Sequence, residues 1–557
     1  MSSPGAFVKV APDVDLGSSS VFALARRIAV PQTAILFAVL VLLAVLLQRA
    51  AGGERAGFGG AADEAAHFVT ALMIRDYVAD GIPASPVAYA ERYYLHYPKV
   101  AFGIWPPLFH FTAAFWMLLF GASSASAMTF VSFVTALFAL FIYLLGRKLL
   151  GSLTGAAAAV WFLLLPSVQA SASMFMMDML CATLMLLAAC AFGRYLDTGQ
   201  RRYSELFGLF AAATVMTKYN GFALALLPLT AVIAVGKYSV LRTFAFWSSA
   251  IIVIVACGWW YVVQADLIWY ASQPYSTLAE APLSAAANTF TLASILSWPF
   301  FPIVGLGWWV TVVRPSNPDA RGTWAALFAL LISVWLFHSV FYPTFEERYL
   351  LPAIAPIVLF ACAGAHRLMS GWPQHLRLAA AAVVAIGYLV TSFYVPAKPD
   401  RGFKRVADVL VARGVSPDAT LLVSSDAAGE GAFVAAVAAR DRRPNAIVLR
   451  ASKLLATSTW MGADYRVLYP TPAELLNALD TSKVSHVVIE DSSPVSLPHE
   501  EHLRTVLRDS PGWRRSTIEG LKDVAGLTLY ERVEPLAAGR PAIRLDMIHS
   551  LGRPLVY

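Results

Sequence analysis

The chain has 557 residues, 58% of them hydrophobic and only 14% charged. A soluble protein carries about a quarter charged residues, whereas here apolar runs of about 17 to 22 residues recur, long enough to cross a bilayer. That excludes an ordinary soluble enzyme, and it excludes a nucleic-acid binder too, because the net charge of +7 is scattered in small Lys and Arg groups between the apolar runs, where it reads as a topology signal.

In chain order, residues 1–29 form a tail ending near Arg26 and Arg27, followed by the first apolar run at 32–47. No small-residue cleavage site follows, so this run is a retained signal anchor and the N-terminus is cytoplasmic. The next stretch, 49–104, is a large outer loop. It carries Asp63, Glu64 and His67, and the apolar spacing at Phe68 and Leu72 predicts an amphipathic helix along the membrane surface. Asp63 is placed either as the N-cap of that helix or as a general base at the mouth of a cavity. Further on, Tyr94, His96 and Tyr97 lie in the segment from Glu91 to Lys99. Such aromatic and polar groups bind sugars and also populate membrane interfaces.

Apolar segments then run over 105–121, 124–145, 152–168, 177–195, 204–217, 219–236, 243–263, 293–313, 323–341, 349–365 and 378–396. Cationic connectors recur at every second junction: Arg147 with Lys148, Arg194 with Arg201 and Arg202, Lys237 with Arg242, Arg314 with Arg321, and His366, Arg367 and Arg377. If these are cytoplasmic, the parity predicts about eleven full crossings, with 105–121, opened by Trp105-Pro106-Pro107, as a re-entrant or surface helix; the alternative is twelve or thirteen crossings. The fold class is therefore a polytopic α-helical membrane protein, with loops 49–104, 169–177, 264–292 and 342–349 and the junction near 218 on the outer face. All four cysteines, Cys181, Cys190, Cys257 and Cys362, fall in apolar segments without metal-ligand spacing, so no disulfide framework is expected.

Ionisable groups at membrane depth cost several kcal/mol on most scales, which makes those outside the cationic pattern functional candidates. Asp178 opens a span and Lys218 lies at an outer junction between short segments; helix capping and snorkelling are the plainer alternatives. Glu346, Glu347, Arg348 and Tyr349 close the outer end of another span. Arg offers phosphate a planar fork and Lys a point charge, so Arg348 and Lys218 together suit an anionic lipid phosphate.

Beyond about Pro396 the chain becomes polar and alternates strand-like runs (420–424, 446–449, 484–489, 527–530) with helical ones (403–413, 431–439, 473–479, 502–507). Residues 397–557 are read as an outer α/β domain for acceptor presentation or partner contact. In it, Ser424 to Gly431 follows a strand and enters a helix, a turn that either cradles a phosphate or is an ordinary strand-to-helix connection.

Taken in order, Asp63-Glu64 in a large first outer loop, Trp105-Pro106-Pro107-Leu108, the Asp178 segment, Thr217-Lys218-Tyr219 and Arg348-Tyr349-Leu350-Leu351-Pro352 resemble the GT-C membrane glycosyltransferases, nearest the protein O-mannosyltransferase and aminoarabinose-to-lipid-A transferase group. The resemblance covers residues 30–396. It implies a catalytic module that takes a sugar from a polyprenyl-phosphate donor and transfers it, with inversion, to a lipid, glycan or protein acceptor outside a bacterial inner membrane, the C-terminal domain being periplasmic. It makes Asp63 the catalytic base, with Glu64 supporting it or binding acceptor. It lines the donor site with Asp178, Lys218, Arg348 and Tyr349. His67, Tyr94, His96, Tyr97, Glu346 and Glu347 are the acceptor or sugar contacts. His67 alone stands where the family carries an aromatic or basic residue after the acidic pair. No Asp-x-Asp motif occurs at the first-loop position, so no metal or other cofactor is expected. The competing readings are a transporter or flippase of a lipid-linked or anionic solute, and an assembly scaffold whose α/β tail recruits partners while the membrane charges are structural. Sugar, acceptor and oligomeric state are left open by the sequence.

Overall fold

The apolar segments are helical because each carries a long run of helix-compatible apolar residues between residues that end a helix. Ser123 shows the start: its hydroxyl accepts from Ser126 N at 3.1 Å and caps the helix Ser124–Leu150, which ends with Arg147 and Lys148 in its last turn before Gly151. The computed structural model describes residues 31–101, 103–272, 278–315, 317–413, 420–458, 464–491, 496–516, 526–536, 541–545 and 553–556. The reading of 1–29, with Arg26 and Arg27, lies outside the described residues.

Among the described residues, seven helices are long and apolar enough to cross a membrane, and nine spans result if each of two bent pairs counts as one. Pro166 breaks Ser152–Leu164 from Pro166–Ala172 with a 63° bend, and the turn at Ser297 to Pro299 sets Leu278–Ile295 at 89° to Trp298–Val313. Leu108–Phe120 and Tyr219–Val235 are shorter apolar helices; the first is the segment expected to be re-entrant or to lie on the surface. Segment 264–292, expected as an outer loop, carries the helix Ala265–Ser272 and most of Ala281–Ile295.

Tight helix crossings and a few buried polar links hold the bundle together. The helices Phe301–Trp308 and Leu351–Leu368 cross so closely that a Cβ on Gly307 would lie 1.8 Å from the carbonyl oxygen of Phe360, and one on Gly364 would lie 2.1 Å from that of Ile303. Asp197, near the end of Asp178–Thr198, accepts from Gly322 N at 2.6 Å and from Thr323 Oγ1 at 2.6 Å, capping the neighbouring helix Arg321–Leu336 from outside. Gln48 donates to the carbonyls of Met128 and Ala172 at 2.9 and 2.7 Å, tying the first span to two others.

The C-terminal segment folds around a five-stranded sheet. With β1 at Thr420–Ser424, β2 at Ile447–Arg450, β3 at Val484–Glu490, β4 at Trp513–Arg515 and β5 at Leu527–Arg532, the order is β2-β1-β3-β5-β4. β1 pairs in parallel with β2 and β3, while β5 runs antiparallel to β3 and β4. The buried runs Leu421–Val423, Ile447–Leu449 and Val487–Ile489 are uninterrupted apolar strands, as a sheet covered on both faces requires. Its helix Ala427–Arg440 packs on Glu64–Ala79, within the stretch 49–104. Arg443 reinforces the contact through Asp76 at 2.7 Å.

Candidate active site

The site is assembled where the stretch 49–104, the segment 104–108 and the ends of the helices Asp178–Thr198, Arg201–Val215 and Leu351–Leu368 meet. Asp63 immediately precedes the helix Glu64–Ala79, yet its backbone is helical and its side chain makes no capping bond, so the helix does not use its carboxylate. Loss of solvation raises its pKa above the usual carboxylate value, while the cations of Lys99, Arg348 and Lys218 pull it back down and Asp178 opposes them. The reach of these charges places Asp63 in one electrostatic environment with Asp178, Lys218 and Arg348.

Glu64 differs sharply from its neighbour. It is fully buried and accepts from Lys398 Nζ, from Phe175 N at 2.8 Å and from Gly60 N at 2.9 Å. His67 is also fully buried; its Nδ1 lies 3.1 Å from His110 Nε2 and its ring 4.4 Å from that of Trp105. Burial, with His110 beside it, pushes its pKa well below the usual imidazole value, so it is neutral at physiological pH.

Asp178 is the first residue of its helix and accepts from Lys218 Nζ at 2.5 Å, both side chains being buried. Lys218 projects from the break between Arg201–Val215 and the 3₁₀ turn Tyr219–Ala225. Its ammonium lies 4.2 Å above the Tyr349 ring, and the Arg348 guanidinium lies 5.3 Å from the same ring, so Tyr349 sets both cations by cation–π contact. Arg348 Nε lies 3.4 Å from Glu346 Oε2, but its Nη1 is buried and finds no hydrogen-bond partner among the described residues, and neither does Asp178 Oδ2. Unsatisfied buried polar atoms are costly, and these two groups keep hydrogen-bonding capacity that the described residues do not use. Trp105-Pro106-Pro107 is held against this group by Leu108 N to Met216 O at 2.9 Å and by the Tyr219 hydroxyl on Ile104 O.

The structure thus gathers Asp63, Asp178, Lys218, Arg348 and Tyr349, with Glu64 and His67 in the adjoining helix turn. The other sequence-derived residues fall elsewhere. Tyr94 is buried near Arg450, His96 Nδ1 lies 3.2 Å from Ala446 O, and the Tyr97 hydroxyl donates to Asp441 at 2.6 Å, so all three face the C-terminal domain. Glu347 accepts from the Ser167 hydroxyl, and Glu346 is exposed beside Arg348. In the Ser424 to Gly431 turn, Asp426 caps its own helix through Gly429 N at 2.7 Å and binds Arg401 at 2.8 Å, so the protein's own carboxylate fills the place where a phosphate would sit.

Sequence reasoning passed over four neighbours. Lys99 bridges the carbonyls of Ala62 and Ala427 at 3.1 and 3.2 Å, and loss of solvation pushes its ammonium down to about 7. Lys398 binds Glu64. His338 lies with its ring 5.3 Å from that of Tyr349 and its Nε2 3.1 Å from Asn220 Nδ2. Lys99 and Asn220 stand inside the motifs that drew attention, but no local pattern marks Lys398 or His338.

Residues 105–261 match the model of the dolichyl-phosphate-mannose-protein mannosyltransferase family. No curated protein matches the chain in sequence. Among solved structures, ArnT from Cupriavidus metallidurans bound to undecaprenyl phosphate superposes with a TM-score of 0.57 at 14% identity, covering 92% of this chain and 100% of that one. The apo form of ArnT gives 0.59 at 13% identity, covering 90% and 99%. With the family match over 105–261 and the structural likeness agreeing with the ordered motifs, the chain is a multi-pass membrane protein with the GT-C fold.

Proposed function

We propose that the protein is an inverting glycosyltransferase that moves a sugar from a polyprenyl-phosphate donor to a hydroxyl of a lipid, glycan or protein acceptor on the periplasmic side of a bacterial inner membrane. One observation carries the reading: an uncapped carboxylate, Asp63, shares its electrostatic surroundings with Arg348 and Lys218, and Arg348 holds a buried N–H without a partner. ArnT, which shares the fold, binds undecaprenyl phosphate, the class of lipid such a cation pair suits.

The chemistry follows from the placement. A phosphodiester-linked sugar is already activated, so the protein must remove the acceptor proton and stabilise the departing lipid phosphate. Asp63 takes the proton as the acceptor oxygen attacks the anomeric carbon from the face opposite the phosphate. The carbon–oxygen bond to phosphate breaks, and the released charge is met by the Arg348 fork and the Lys218 ammonium. Asp178 fixes Lys218, and Tyr349 sets the spacing of the two cations. Asp178, Lys218 and Arg348 all lie at helix ends, which favours this reading over a transporter, whose charged groups belong near the midplane.

The test is transfer in liposomes from a panel of polyprenyl-phosphate sugars to a membrane-extract acceptor, comparing wild type with Asp63→Asn at equal folded protein. Product from wild type and none from the variant is the expected result. Equal product from both removes Asp63 as the base.

A further inference from the structure

Resting on the reading of Asp63 as base, we infer that Lys398 is a positioning residue for it, a buried pin through which the C-terminal domain holds the base-bearing loop in register with the donor site. Lys398 lies just after the last span, at the start of the connection to the C-terminal domain. Its ammonium donates to Glu64 Oε1, to Gly57 O and to Ser173 O at 3.3 Å, which uses all three donors, and its side chain is 2% exposed. The backbone joins the contact, Lys398 N donating to Ala51 O at 2.9 Å.

Each acceptor belongs to a part of the site. Gly57 and Glu64 flank the loop that ends at Asp63, and Ser173 precedes the segment leading to Asp178. Glu64 completes the joint by accepting from Gly60 N and Phe175 N at 2.9 and 2.8 Å. The packing leaves no slack, since a Cβ on Gly60 would lie 2.9 Å from Lys398 Cε. Three residues on, Arg401 binds Asp426 at 2.8 Å, Ser425 at 3.1 Å and Glu490 through Nε at 2.8 Å. The span 398–401 therefore fastens the Asp63 loop, the Asp178 segment and the α/β domain to one another. A base displaced by an ångström loses about a hundredfold in rate, so a fixed joint one residue away governs turnover without touching substrate.

The test uses the full chain in liposomes with a polyprenyl-phosphate sugar, and amide hydrogen exchange on the same samples. For Lys398→Met we expect kcat to fall by about 10- to 100-fold with KM for the donor within about twofold. Exchange should quicken in 57–66 and 173–176 while that of β1 and β3 is kept, and Lys398→Arg should recover part of the rate. Glu64→Gln, which keeps the shape of the joint and removes its charge, should give the same kcat-weighted loss and serves if Lys398→Met does not fold. A wild-type kcat, a loss confined to KM, or unchanged exchange in 57–66 overturns the inference. A wild type that transfers no sugar overturns the glycosyltransferase reading instead, and the exchange data still decide whether Lys398 orders the loop.

Discussion

Among the described residues are two buried lysine–carboxylate pairs, Lys398 with Glu64 and Lys218 with Asp178, and they are built to opposite ends. In the first pair the lysine has three acceptors and the glutamate three donors. In the second, Asp178 Oδ2 has no partner among the described residues, and beyond its carboxylate Lys218 leans on an aromatic face. A saturated buried pair fixes geometry. An unsaturated one, beside an arginine with a free buried N–H, retains capacity for a ligand. The same two residue types thus separate into scaffold and site by how many of their bonds the protein itself has made.

Asp63→Asn is the largest expected break, because it removes the base and leaves both pairs in place. Transfer should fall by about 10² to 10⁴-fold while thermal unfolding stays near wild type. Loss of folding instead would move Asp63 to the structural side of the comparison.

The two lysines should then part company. Lys398→Met leaves Glu64 as an uncompensated buried charge, and breaking such a pair costs about 3 to 5 kcal/mol; a double substitution with Glu64→Met should recover much of that stability. Lys218→Met also leaves a buried carboxylate, Asp178, without its ammonium, and should in addition cost donor affinity, since the Lys218 charge is proposed to serve the ligand. Unfolding curves read beside binding of undecaprenyl phosphate would separate the two, and equal behaviour of both variants would dissolve the distinction. Arg348→Gln removes a charge-assisted hydrogen bond to phosphate, worth about 1.5 to 3 kcal/mol, and should weaken binding of that lipid about 10- to 100-fold. Arg348→Lys should restore only part, because a point charge replaces a fork.

The comparison also explains what was legible in the sequence. The strand-like runs at 420–424 and 484–489 coincide with β1 and β3 almost to the residue, because buried strands are written as short β-branched stretches between polar turns. Asp178, Lys218 and Arg348 stood out because a charge at membrane depth has few excuses, and the structure brings them together. The bends were less readable: hydropathy does not register the 63° turn at Pro166 or the 89° break near Ser297. Lys398 was illegible for a different reason. In a polar connection a lysine looks solvated, and only the folded loop around it reveals that it is buried. Tyr94, His96 and Tyr97 have a sugar-binding composition, but the docking of the α/β domain covers them, a long-range contact that spacing does not encode.

The smallest effect expected concerns proton affinity at the base. Burial raises the Asp63 pKa and Lys99 is the strongest of the cations lowering it, so transfer, which needs the carboxylate, should rise with pH along a limb above the ordinary range for Asp. Removing the cation in Lys99→Met should move that limb to still higher pH. The variant should therefore lose several-fold in rate at the acid end and much less at alkaline pH, while Lys99→Arg keeps the wild-type limb. Because loss of solvation pushes the Lys99 ammonium down to about 7, its charge is present below that pH and fades above it. A limb that Lys99→Met leaves unmoved would show that Lys99 acts only through its bonds to Ala62 and Ala427, placing it with Lys398 among the pins that hold the loop.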